Sequence, residues 1–153
     1  MTTKSSVEEL RRVLPGRWRV HATTFPMWLS GKRLDPTITY TPLPGGDLVL
    51  RDEVDYRTRA GAARRVVGTD RYRQDDHRFV WRGRGPLWIL RSRWQVERVS
   101  ADGEVLVITF DRSLVTPAGM DVLGRGTDAR PELRTNLDGS GLDADQFSRL
   151  TWL

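Results

Sequence analysis

Between Arg17 and Gly126 the chain falls into eight short runs rich in β-branched and aromatic residues, each closed by glycine, proline or aspartate. The runs cover residues 17–24, 36–42, 47–58, 62–73, 77–82, 87–99, 105–111 and 120–126. The breaks, among them Pro44-Gly45-Gly46, Arg59-Ala60-Gly61, Gln74-Asp75-Asp76, Gly83-Arg84-Gly85-Pro86, Ala101-Asp102-Gly103 and Pro117-Ala118-Gly119, have the chemistry of hairpin turns. Closely spaced strands with short links make an antiparallel meander. Such a meander removes its exposed edges by closing into a barrel or by folding into a sandwich.

Helical periodicity is confined to the two ends. Ser6-Val7-Glu8-Glu9 is a capping box, and Val7, Leu10 and Leu14 follow at helical spacing until Pro15-Gly16 ends the helix. Near the other end Asp143 and Gln146 suit a second capping box, which predicts a short terminal helix laying Phe147 and Leu150 on the sheet. Two connections are not tight turns: a stretch rich in glycine, aspartate and arginine, residues 127–141, follows the last strand, and residues 25–35, between the first two strands, carry Phe25, Met27 and Trp28. A long loop with that much apolar surface is expected to lie over the mouth of a cavity, because little else would cover it.

Composition excludes several classes of chemistry. With 153 residues the chain is expected to form one domain, residues 1–153. There is no cysteine, so disulfides, thiolate catalysis and cysteine-bound metals are excluded. His21 and His77 are the only histidines and neither has ligand spacing to carboxylates, so no metal and no cofactor are expected. No run approaches the roughly 20 apolar residues of a membrane span, and the polar N-terminus lacks a secretory signal. A cytoplasmic location is therefore expected. The net charge of +5 is spread over the chain without a clustered basic motif, so a nucleic-acid partner is not expected. The oligomeric state is not legible.

Strand parity sorts the side chains into two faces. In the third run Leu48, Leu50, Asp52, Val54 and Tyr56 share the inward face, in the fourth Val66, Gly68, Asp70 and Tyr72, and in the sixth Trp88, Leu90, Ser92, Trp94 and Val96. The predicted interior is aromatic with isolated acids in it. Trp28, Tyr40, Tyr56, Tyr72, Trp81, Trp88 and Trp94 are the candidate ligand-binding residues, each alternatively a simple core filler. Asp52 and Asp70 are the candidate catalytic residues. A carboxylate facing an apolar interior must be ion-paired, hydrogen-bonded or protonated. A structural ion pair with an arginine from a neighbouring strand is the expectation for them; the alternative is an acid that binds a ligand or moves a proton.

Gly16-Arg17-Trp18, opening the first strand directly after a short helix and followed by a long first loop and seven further runs, resembles the Gly-x-Trp barrels of the lipocalins and the wider calycin superfamily. Thr69-Asp70-Arg71-Tyr72 is similar to the family's Thr-Asp-x-x-Tyr motif but sits on the fourth run, and no role is carried over from it. The resemblance implies an all-β, eight-stranded or slightly larger antiparallel barrel with short terminal helices, Trp18 plugging its closed end. It implies binding of a small hydrophobic molecule in the interior. Typical lipocalins are secreted and disulfide-bonded, unlike this cysteine-free chain. Similar intracellular barrels include cofactor-independent cyclases and isomerases of secondary metabolism, which makes such an enzyme the alternative.

Overall fold

The computed structural model describes residues 4–87, 89–114, 117–136 and 144–153. Helix α1 (Val7–Val13) starts at Ser6, whose side chain accepts from the Glu9 N–H, and ends at Leu14. Gly16, at φ +118°, then turns the chain into β1 (Gly16–Thr23), a conformation that a side chain would strain. Strands β2 (Arg33–Pro42), β3 (Val49–Thr58), β4 (Ala63–Arg73), β5 (Arg78–Gly83), β6 (Arg91–Val99), β7 (Val105–Phe110) and β8 (Gly119–Arg125) follow, each antiparallel to the next. β1 pairs with β8 on one side and β2 on the other, which closes the eight strands into a barrel.

A ninth strand, β9 (Thr151–Trp152), pairs outside the ring with Ala22 and Thr23 of β1. Three further short helices accompany the barrel: α2 (Pro26–Leu29) in the long first loop, α3 (Glu132–Asn136), and α4 (Ala144–Arg149). α3 was not foreseen, and its Leu133 is buried. The expected terminal helix is α4, after which Leu150 packs with Ala22, Val107, Met120 and Val122 on the outer wall. The Phe147 side chain lies outside the described residues.

Two boundaries depart from expectation for backbone reasons. β2 begins three residues early, at Arg33, and its register on β3 slips between Leu34 and Thr37. Pro36 cannot donate to the ladder, and Asp35 at φ +52° takes up the irregularity. β6 begins late, at Arg91, because a 3-10 segment, Gly85–Leu87, first turns the chain around Pro86. Trp88, expected on the inner face of that strand, lies outside the described residues.

The end of the barrel nearer α1 is closed. Trp18 is fully buried, its Nε1 donates to the Leu14 carbonyl at 2.9 Å, and Leu10 and Leu14 join the same core. The Arg125 guanidinium lies over the Trp18 ring at 3.9 Å and donates to the Pro15 and Val13 carbonyls at 2.7 and 2.8 Å. Those are carbonyls that the end of α1 leaves without helical partners. The predicted role of Trp18 as a plug is what its surroundings provide.

Candidate functional site

The opposite end of the barrel leads into a cavity of about 270 Å³. α2 stands at its mouth: Phe25, Met27 and Trp28 line it, with Arg33 and Tyr56 beside them. Pro26 opens α2, a position where its missing N–H costs nothing, and the Phe25 N–H is held by Thr23 Oγ1 at 2.9 Å. Trp28 packs edge-on to Tyr56 at 6.0 Å, and Arg33 stands over the Tyr56 ring at 5.5 Å. The loop thus does what its apolar content predicted.

Deeper in the barrel a stack of rings fixes the floor. Tyr40 and Phe79 lie on either side of Trp94, with centroids at 5.6 and 4.4 Å and nearly parallel planes. Trp81, Val54, Val66, Ile38 and Phe110 complete the apolar wall, with the small polar Ser92 among them. Of the expected ligand-binding residues, Trp28, Tyr40, Tyr56, Trp81 and Trp94 line this one cavity. Tyr72 does not. It faces the α1 end, near Leu10 and Phe79, with its hydroxyl 3.1 Å from His77 Nδ1. Parity placed it on the inner face, but the barrel is filled at that level.

The two candidate acids are buried and close together, yet the expected arginine is missing. β3 and β4 pair Leu50 with Asp70 and Asp52 with Gly68, so Asp52 and Asp70 are diagonal neighbours on the inner face. Gly68 leaves room there because a Cβ would stand 2.3 Å from Trp81 Nε1. The Trp94 indole N–H donates to Asp70 Oδ1 at 2.8 Å. Asp52 Oδ1 and Asp70 Oδ2 are buried without any N–H or hydroxyl donor. A proton on Asp70 shared with Asp52 satisfies both oxygens. Burial raises both groups, and the Asp52 charge raises Asp70 further, so Asp70 is the protonated partner. Among the described residues no basic side chain acts on either acid, and the ion pair expected from the sequence gives way to a carboxyl pair.

Sequence reasoning missed a third acid, Asp121 of β8. It lines the cavity at 2 % exposure, and burial pushes it from 3.8 to about 7 against the opposing pull of a hydrogen bond from Thr23. Its Oδ1 has no partner, and neither does Trp28 Nε1. β1 explains how Thr23 comes to face it. Pairing with β8 skips His21, a bulge between Val20 and Ala22, so inward parity passes from Val20 to Thr23 and Ala22 turns outward under Leu150. His21 packs against Gly124, and burial together with Arg19 lowers it to about 4, which keeps the ring neutral. All three carboxyls act on the fully buried Tyr40 phenol, whose proton burial already holds tightly.

Among the described residues no cluster of His, Asp and Glu could hold a metal, and no helix is long and apolar enough to cross a membrane. Chemically, the cavity offers aromatic faces, a carboxyl pair holding one proton, and a lone carboxyl.

No protein-family model and no curated protein matches the chain. Solved structures do. The amine binding protein of Rhodnius prolixus, in its tryptamine complex, superposes with a TM-score of 0.59 at 12 % identity, over 99 % of this chain and 84 % of that one. The siderocalin Ex-FABP gives 0.57 at 16 %, covering 92 % and 93 % of the two chains. A bovine lipocalin allergen gives 0.54 at 15 %, covering 91 % of each. With eight strands closed in antiparallel order, a capped end behind Trp18 and these likenesses, the chain has the fold of the lipocalins and the wider calycin superfamily.

Proposed function

We propose that the chain binds one small, largely apolar molecule inside the barrel. The observation that carries this is the aromatic cavity of about 270 Å³ beneath Trp28, whose otherwise apolar wall carries the carboxyl-bearing side chains of Asp52 and Asp121. Among proteins of the same fold, one is solved with tryptamine bound and another is described as having dual ligand specificities, which supports an interior binding role. The lack of cysteine suits the cytoplasm, the location we propose, and cell fractionation tests it.

Calorimetric titration with naphthol, uncharged at neutral pH, tests the binding role. One molecule binds per chain, and Ser92→Phe, which fills the cavity, abolishes the heat while the protein still melts cooperatively. Equal binding by the filled variant rejects an interior site. The protonated Asp70 beside Asp52 favours a second reading, a cofactor-independent cyclase or isomerase that uses the pair for proton transfer. On that reading Asp52→Asn lowers turnover by about 10²–10⁴-fold and leaves binding in place.

A further inference from the structure

The inner wall is unbalanced in charge. Asp52 and Asp121 both line the cavity, and Asp70 is the diagonal neighbour of Asp52 on β4. The one basic side chain lining the cavity, Arg33, is exposed at the rim, over Tyr56. A buried carboxylate is stable only with a positive or hydrogen-bond-donating partner, and the described residues provide no cation for any of the three acids. Around them stand Trp28, Tyr56, Trp81, Trp94, Phe25 and Phe110, whose ring faces attract cations and whose edges pack other rings.

Resting on the interior site proposed above, we propose that the molecule it selects is a small arylalkylamine, with its ammonium received by a wall carboxylate, Asp121 or Asp52, and its ring held by the aromatic wall. The ammonium supplies what the wall lacks, a compact charge with several donors. Where Asp121 still holds its proton, it releases it to solvent as the amine arrives, because the incoming cation stabilises the charged form. A carboxylate-bearing ligand is rejected, since it would meet two acids across a desolvated cavity.

Three matched probes test this by calorimetry at pH 8: phenethylamine, its uncharged counterpart phenethyl alcohol, and the anion hydrocinnamate. A charge-assisted hydrogen bond predicts the amine to bind at least about tenfold tighter than the alcohol, with the anion weakest. Asp121→Asn or Asp52→Asn reduces or removes the amine's advantage over the alcohol measured in the same variant. Should a variant fail to melt cooperatively, the native protein gives the same answer through pH. Alkylamines titrate near 10, so amine affinity rises from pH 5.5 to 8.5 as the acids ionise, and alcohol affinity does not. The groups facing that site are Asp52 and Tyr56 of β3, Asp70 of β4, Tyr40 and Arg33 of β2 and Asp121 of β8, and His21 of β1 stays neutral over this range. Alcohol binding as tightly as amine, an advantage that survives both substitutions, or hydrocinnamate binding tightest would overturn the amine assignment. So would failure of all three probes; naphthol uptake then decides whether the interior site stands without it.

Discussion

Replacing Asp121 by Asn should stabilise the protein at neutral pH, although it alters a buried residue of the barrel wall. Burial raises this carboxyl from its ordinary 3.8 to about 7 in the folded state. Below pH 3.8 both folded and unfolded chains hold the proton, and the group leaves stability unchanged. Between 3.8 and about 7 the unfolded chain releases a proton that the folded chain keeps, so stability falls by about 1.36 kcal/mol per pH unit. Above 7 the loss is complete, on the order of 4 kcal/mol. Asn has nearly the same shape, keeps an acceptor for Thr23 and never ionises. Urea denaturation from pH 4 to pH 8 reads the difference directly, because His21 and the other titrating groups cancel between the two proteins. The expected pattern is stability within about 1 kcal/mol at pH 4 and a gain of a few kcal/mol at pH 8, or roughly 8–16 °C in Tm for a chain of this size. An equal loss at every pH would refute the reasoning. It would mean that the carboxylate is already ionised and held by donors. The same substitution is predicted to weaken amine binding, so the acid that costs the unliganded barrel stability is the acid that would receive the ligand.

Asp70→Asn should also be tolerated, since its amide can accept from Trp94 and donate to Asp52 as the protonated acid does; Asp70→Leu leaves both unmatched and should cost about 2–4 kcal/mol in chemical denaturation. Arg125→Gln removes the cover of Trp18 and the two bonds to the end of α1, so the melt should show a loss of about 3 kcal/mol without a change in naphthol affinity. Trp28→Ala opens the mouth and should weaken naphthol by about 1–2 kcal/mol in calorimetry, with the fold retained. Gly68→Ala places a methyl against Trp81 and the Arg82 carbonyl, 2.3 and 2.7 Å away, and should destabilise by about 1–3 kcal/mol in the same melts.

What could be read in advance depended on how many faces of each strand are buried. β3 and β4 expose one face, so their alternation identified Asp52, Asp70 and Gly68 as interior positions before any coordinates. β8 is buried on both sides, Leu123 within the barrel and Met120 and Val122 under Leu150, so nothing in its alternation marked Asp121 as inward. The bulge at His21 was equally hidden, because parity in sequence assumes an unbroken ladder. The turn chemistry at Gly45, Gly61 and Gly103 located the hairpins, each at a positive φ. The partner of Asp70 was not legible for another reason. Whether a buried acid meets an arginine or a second acid is decided by register between strands, and Asp52 and Asp70 lie 18 residues apart in the chain.

Indole N–H resonances offer the most direct measurement of interior binding, since tryptophans stand at the mouth, wall and floor of the cavity and also away from it. Titrating isotopically labelled protein with naphthol should shift the resonances of Trp28, Trp81 and Trp94, which line the cavity, and leave those of Trp18 at the closed end and Trp152 on β9 in place. Shifts confined to Trp18 or Trp152, or saturable binding that moves none of the three cavity indoles, would contradict an interior site.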